Sequence, residues 1–322
     1  MKINKLILVL VLITLFVILG CSNQEKEETV RIGYTPINTH LPLYLSLEED
    51  YFKQEGIDVK LIKFESPNQM VDALIQGNID LIGPGGPLGI YGIVDFKNNR
   101  KLKVYSVVGG SLKNPIANLL VPIDSNITSF QDLKDKKLGI WGGTIQWITI
   151  TRELLSLNGL EIDKDVQIVG LAPELQVQAL ATKQVDALFA LEPMSTIALE
   201  KGVGKIAISG PVESLILENS FVGGGALATK FINENPKLAE KIVGILEKAM
   251  KEVNENPDKY KKYLKVYTPL NDDLILKMPI LYFKSCEDLN ERDIEAIQKF
   301  YDIFTKWKVI DGRINPKDLL YC

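Results

Sequence analysis

Histidine is all but missing from this chain: His40 is the only one in 322 residues. A single imidazole leaves no histidine cluster to hold a metal, and the spacings HExxH and GxSxG are also missing. Cysteine is scarce too, at three residues, and none lies in a CxxC pair, so a metal or redox site has no support. Clustered basic residues are missing as well. The formal net charge is −4, and without a run of Lys and Arg there is nothing to hold a phosphate backbone, which argues against a nucleic-acid partner. No Gly-Lys-Ser/Thr follows any glycine-rich turn, so there is no nucleotide P-loop. What remains is an ordinary globular composition, 46% hydrophobic and 24% charged, long enough for two modest domains or one large one.

The amino terminus is the most informative short segment. Lys2 and Lys5 precede an apolar run from Leu6 to Leu19, which is short for a membrane span and suits a signal peptide. Ile18-Leu19-Gly20-Cys21 resembles the lipobox of prokaryotic lipoproteins, in which the cysteine thiol takes a diacylglycerol. Residues 1–20 are therefore expected to be a signal peptide, Cys21 the lipidation site, and 21–29 a polar tether. The alternative is an uncleaved anchor helix with an incidental cysteine; the sharp change in composition at Cys21 favours the signal peptide. Cys286 and Cys322 are then left either to pair in an exported protein or to stay as two thiols, and sequence separation leaves both open.

From Val30 onward, short apolar runs alternate with helical patterns. Strands are expected at Val30–Tyr34, Ile57–Phe64, Ile79–Ile82 and Leu102–Val108, with helices at Leu43–Glu55, Asn68–Gln76 and Leu88–Asn98 between them. A second module repeats the rhythm, with strands at Lys137–Trp141, Val166–Gly170, Asp186–Leu191 and Lys205–Ser209. The alternation implies α/β lobes, each a mostly parallel sheet flanked by helices. Gly223–Gly225 reads as an irregular edge before a strand, and Pro236–Asn256 as a long amphipathic helix. "ALIQGNIDLIGPGGP" (73–87) echoes "ALATKQVDALFALEP" (179–193), as two lobes built on one plan would, although shared α/β grammar alone could produce it. The lobes are placed at 30–118 with 220–322, and at 119–219.

In open α/β sheets, ligands sit beyond the carboxyl ends of the strands. Four motifs occupy such ends. After the first strand, Thr35, Asn38 and His40 lead into a helix whose free N–H groups can meet an acceptor. After the third, Gly85 and Gly86 let backbone N–H groups approach a ligand. In Trp141-Gly142-Gly143-Thr144-Ile145-Gln146, Gly143 and Thr144 form a turn and cap, Gln146 follows, and Trp141 offers a stacking surface. Glu192, after Leu191, would suit a ligand carrying an amine or a ring N–H. Each residue also has a plain structural reading as a cap, a turn or a core side chain.

The segment "VRIGYTPINTHLPLYLSLEEDYFKQEGIDVKLIKF" resembles the opening of substrate-binding proteins of the nitrate/sulfonate/taurine and NMT1/THI5-like import systems. "ALIQGNIDL", "SFQDLKDKKLGI", "ALATKQVDALFALEP" and "INENP" are similar to later stations of that family, in its order. The resemblance runs from about Val30 to Pro257. It implies the two-lobed type II periplasmic-binding-protein fold and a cleft lined by these loops. It implies a small-molecule ligand, an ABC permease with its ATPase as partner, a monomer, no cofactor, and anchorage to the outer face of the cell membrane. Departures bear on the ligand. The common Trp before Glu-Pro is Leu191 here, and Asp50 stands where the family often has Gly. No Arg lies in the four loops, so bidentate recognition of a sulfonate or nitrate is not visible. "PINTHLPLY" looks closer to the pyrimidine- and flavin-binding branch. Fungal pyrimidine synthases of the family use a Lys and a His after the third strand and a cysteine-rich run later. Here those places hold Gly83–Pro87 and the cysteine-free Gly223–Gly225, which points to a binder over an enzyme. A structural or adhesive lipoprotein, a third class, predicts no closed cleft.

Overall fold

A computed structural model describes residues 29–97 and 100–322. The signal-peptide, tether and Cys21 expectations lie outside the described residues, save Thr29 at the tether's end. Strands β1 (Val30–Tyr34), β2 (Val59–Lys63), β3 (Leu81–Pro87) and β4 (Leu102–Gly110) come first. They are followed by β5 (Ala117–Pro122), β6 (Lys136–Trp141), β7 (Val166–Leu171), β8 (Ala187–Leu191) and β9 (Gly204–Ser209). The chain ends with β10 (Ser220–Ala228) and β11 (Tyr282–Ser285). They build two sheets, ordered β11-β4-β10-β3-β1-β2 and β7-β6-β8-β5-β9. Each is the centre of one α/β lobe, and the chain crosses between lobes twice, from β4 to β5 and from β9 to β10.

The sheets are mixed: most strands of each run one way, as the alternation implied, and a minority break the pattern. β1 pairs in parallel with β2 and β3, and β6 with β7 and β8. The strands that begin after a crossover, β5 and β10, run antiparallel to both neighbours. A strand entering a sheet from the other lobe starts at the cleft end, so its direction is reversed. The glycine run also departs from expectation. Gly223–Gly225 lies inside β10, wholly buried between β3 and β4, with bulges along its length. Its neighbours leave no room for side chains: a Cβ on Gly224 would sit 2.1 Å from the Ser106 carbonyl oxygen, and one on Gly225 2.1 Å from the Tyr105 ring. Gly85 and Gly86 likewise belong to β3 instead of a loop after it, with Gly86 opposite Gly224.

The internal echo has a shared structural role. Asp80, ahead of β3, accepts from the Arg31 backbone N–H at 2.8 Å, and Asp186, ahead of β8, accepts from that of Lys137 at 2.8 Å. In each lobe this aspartate fixes the register of two parallel neighbours, β3 against β1 and β8 against β6.

Helices α1 (Leu41–Glu48), α2 (Pro67–Ile75), α3 (Leu88–Lys97), α4 (Ile145–Leu157), α5 (Pro173–Ala181), α6 (Met194–Glu200), α7 (Pro236–Glu255) and α8 (Glu291–Lys306) flank the sheets. The helix expected over Leu43–Glu55 is broken. α1 stops, and Asp50 takes φ 55° before a new turn at Tyr51. That left-handed position explains why glycine is favoured there and why Asp, which tolerates it, can substitute. α7 buries Ala239, Ile242, Ile245, Leu246 and Ala249 on one face, as its spacing requires. Cys286 and Cys322 form a disulfide, settling what sequence left open. It spans 36 residues and holds the carboxyl tail against β4, where the Tyr321 N–H donates to the Val104 carbonyl. Closing a loop of that length stabilises by roughly 2–4 kcal/mol. No helix among the described residues is long and apolar enough to cross a membrane.

Candidate functional site

The carboxyl ends of β1, β3, β6 and β8 face one cleft between the lobes. An inner chamber of ≈ 90 Å³ is lined from the first lobe by Thr35, Asn38, Gly85 and Gly86, and from the second by Trp141, Thr144, Gln146 and Glu192. An outer chamber of ≈ 660 Å³ adjoins it and shares Thr35, Trp141, Thr144 and Glu192. Gly143, with φ 78°, lines the outer chamber.

The backbone of the first-lobe wall is held by hydrogen bonds from behind. The Tyr44 hydroxyl donates to the Thr35 carbonyl at 3.1 Å and the Ile37 carbonyl at 3.2 Å, and the Thr39 hydroxyl to the Gly85 carbonyl at 3.2 Å. His40 is fully buried and does not line the cleft; it stands one layer behind. Its Nδ1 accepts from the Gly85 N–H at 3.3 Å. The ring proton must then be on Nε2, which donates to Thr35 Oγ1 at 3.4 Å and leaves the Thr35 proton free to turn elsewhere. Burial pushes the His40 pKa from 6.5 down to about 3, so the ring is neutral. Asn38 is buried, and its amide has no hydrogen-bond partner among the described residues.

The second-lobe wall is less satisfied. Thr144 lies just before α4, and its buried hydroxyl oxygen has no partner. Among the described residues, Glu192 is the only charged side chain lining the inner chamber. Its Oε2 accepts from the Thr196 N–H at 3.2 Å, at the start of α6. Burial raises its pKa, while bonds from Thr196 and Ser195 oppose the rise. Gln146 spends both ends of its amide across the lobes. Oε1 accepts from the Gly89 N–H at 2.9 Å and Nε2 donates to the Val222 carbonyl at 3.0 Å. Beyond it on α4, Glu153 accepts from Lys306 at 2.7 Å and the Trp307 indole at 2.7 Å, both from the first lobe. Across the cleft, the Asn68 amide donates to the Gly143 carbonyl at 3.2 Å, and Lys277 pairs with Glu200.

Sequence reasoning missed the apolar lining from distant segments: Met70, Val108, Ile116, Trp147, Val222 and Leu281. None carries a local signal, because each reaches the chamber only through the folding of both sheets.

The family described as NMT1/THI5 like matches residues 37–260. A Bacillus subtilis protein named for binding aliphatic sulfonates is 28% identical, covering 97% of this chain and 93% of that one. A 4-amino-5-hydroxymethyl-2-methylpyrimidine phosphate synthase of Saccharomyces cerevisiae is 24% identical over 88% of this chain and 81% of its own length. Among solved structures, the periplasmic aliphatic sulphonate binding protein of Escherichia coli superposes with a TM-score of 0.74 at 20% identity, covering 91% of this chain and 97% of that one. The periplasmic nitrate-binding protein of Synechocystis gives 0.70 at 14%, covering 91% and 84%. At those identities the structural likeness speaks to the fold.

Proposed function

The chain belongs to the NMT1/THI5-like family, and from that premise we propose that it is the lipid-anchored solute-binding component of an ABC importer. It captures a small organic ligand or oxyanion between lobes 30–118 with 220–322 and 119–219, and presents the closed form to a permease and its ATPase. The observation that carries this reading is a single cleft lined by the strand-end residues of both sheets. A ligand bound to one wall gains contacts from the other only on closure, which shifts the population toward the closed form. The protein works as a monomer on the outer face of the cell membrane, tethered through Cys21, without nucleic acid or cofactor.

The chemistry of the inner chamber favours a ligand that brings hydrogen-bond donors. Among the described residues neither Lys nor Arg lines it, while Glu192, the Asn38 amide and the unpartnered Thr144 hydroxyl can accept. A thiamine-precursor pyrimidine or a flavin has such donors. A sulfonate or nitrate is the second reading, supported by the thirteen-residue α4, whose amino-terminal N–H groups and Thr144 hydroxyl stand at the cleft. The synthases among the relatives raise an enzyme as the rival. Against it stands the one imidazole, buried, neutral and engaged at both nitrogens.

A thermal-shift screen over alkanesulfonates, taurine, nitrate, aminopyrimidines and riboflavin tests the reading, since a ligand of the native state raises Tm by mass action. Glu192→Gln should weaken a donor-bearing hit about tenfold, a loss of about 1.4 kcal/mol, and barely affect a pure anion. Equal losses for both remove Glu192 from recognition, and catalysed turnover of any pyrimidine overturns the binder assignment. Replacing Cys21 with Ala should release the protein from the membrane fraction; retention there would refute the lipid anchor.

A further inference from the structure

The two crossovers between the lobes meet on one carboxylate. Glu213 is buried in the short helix Pro211–Leu215, on the segment that joins β9 to β10. Its Oε1 accepts from the Ile116 N–H at 3.0 Å, just before β5, and from the Ser220 hydroxyl, at the start of β10. Gly110, at the end of β4, leaves the space for it: a Cβ there would sit 2.4 Å from the same oxygen. Oε2 has no partner among the described residues and lies against Gly210, just past β9, where a Cβ would come within 3.3 Å. All four strand ends that the crossovers connect thus surround Glu213, and the Ser220 bond reaches the first lobe.

From Gly210 a row of hydrogen bonds runs back to the cleft. Its N–H donates to Asn118 Oδ1 at 3.3 Å. A backbone N–H can only donate, so this bond fixes which way the Asn118 amide is turned, and its Nδ2 donates to Ser195 Oγ at 3.0 Å. Accepting there leaves the Ser195 proton for the Glu192 carboxylate, whose charged form it favours. Asn118 and Ser195 are buried, so water does not compete for these bonds. Every donor in the row points toward the cleft, and the row ends on a carboxylate that lines both chambers.

Resting on the solute-binding reading, we propose that Asn118 and Glu213 are positioning residues that couple Glu192 to the hinge. The lobe angle, felt at Ser220, sets the row; the row holds the carboxylate ready; and a ligand that engages Glu192 favours the same angle in return. Neither Asn118 nor Glu213 lines the cleft. The hinge between the lobes is the two-position element that such a coupling acts on.

The test needs no ligand. In the mature chain two quantities are read. One is the titration midpoint of Glu192, from carbon-13 NMR of glutamate-labelled protein, with Glu192→Gln assigning the signal. The other is the closed-to-open ratio, from the distance between spin labels at exposed Lys53 and Lys164. The charged groups that share the outer chamber with Glu192, namely Glu65, Glu174 and Lys201, are the same in every variant. Ser220→Ala removes only the hydroxyl at the first-lobe end and should raise the Glu192 midpoint by about half a pH unit. Glu192→Gln should lower the closed-to-open ratio about threefold, the same coupling read from the other end. Asn118→Leu cuts the row in the middle and should leave Ser220→Ala without effect on the midpoint; Ser195→Ala makes the same cut if Asn118→Leu does not fold. If both quantities keep their wild-type values, if only one moves, or if the effect of Ser220→Ala survives the cut, the row carries no coupling and the proposal falls. A lower midpoint in urea with neither quantity changed would return Glu213 to a structural role. Those results leave solute binding standing, since the thermal-shift screen judges it separately.

Discussion

The two walls of the cleft are built on the same β-α-β plan, with Asp80 and Asp186 doing the same job in each, yet they differ in what they leave open. The first-lobe wall braces its backbone: Tyr44, Thr39 and His40 hold the backbone of Thr35, Ile37 and Gly85 from behind, Gly86 packs flat against Gly224, and the Asn38 amide and the Thr35 hydroxyl stay open to the cleft. The second-lobe wall presents a hydroxyl with no partner and a carboxylate whose ionisation burial disfavours. One wall supplies mainly shape, the other the carboxylate and the unpartnered buried hydroxyl. A fold that closes on its ligand gains from this division. The rigid wall holds a surface ready, and the unsatisfied groups of the other are rewarded only when the ligand arrives.

The division can be broken most forcefully at the glycine strand. Gly224→Ala places a methyl against the Ser106 carbonyl, where backbone must move, and should cost about 3 kcal/mol of stability, read as a lower midpoint in urea. A wild-type midpoint would mean that the first-lobe wall is not held by close backbone packing.

The next effect is acid lability. His40 has its folded pKa depressed to about 3 from an ordinary value of 6.5, so only the unfolded chain takes up a proton between those values. The neutral ring's contribution is complete above 6.5 and is lost as pH falls toward 3, at roughly 1.4 kcal/mol per pH unit. His40→Asn should flatten that slope in denaturation curves taken between pH 7 and pH 4. An unchanged slope would show that His40 is open to protons in the folded state.

The smallest change sharpens the contrast. Thr144→Val removes a hydroxyl with no protein partner, so stability should hold within about 0.5 kcal/mol. Affinity for a ligand identified in the screen should fall by about 1 kcal/mol, or roughly fivefold. A loss of stability with affinity intact would move Thr144 to the structural side of the comparison.

Much of this was legible in the sequence because strand ends are. Tyr34-Thr35, Trp141-Gly142 and Leu191-Glu192 each mark where an apolar run gives way to a turn, and the strand-end rule then groups them in one cleft. The direction of side chains was not legible. His40 belongs to a cleft motif, yet the 3₁₀ turn Asn38–His40 swings it inward while Asn38 faces the chamber. Gln146 follows the helix start as a ligand group would, but its amide is used up between the lobes. Partners distant in sequence hid two more features. Gly85, Gly86 and Gly223–Gly225 look like turns until it is known that they face one another across β3 and β10. β5 and β11 pair only with strands that the local pattern cannot name.

If both walls meet on one ligand, binding must bring them together. Spin labels at exposed Lys53 on the first lobe and Lys164 on the second read that distance, with and without the compound that most raises Tm. The compound should narrow the distribution toward its short end in the wild type, and Glu192→Gln should need about ten times more of it to do so. A compound that stabilises the protein while leaving the distance unchanged, and equally well in the variant, would contradict a ligand shared by both walls.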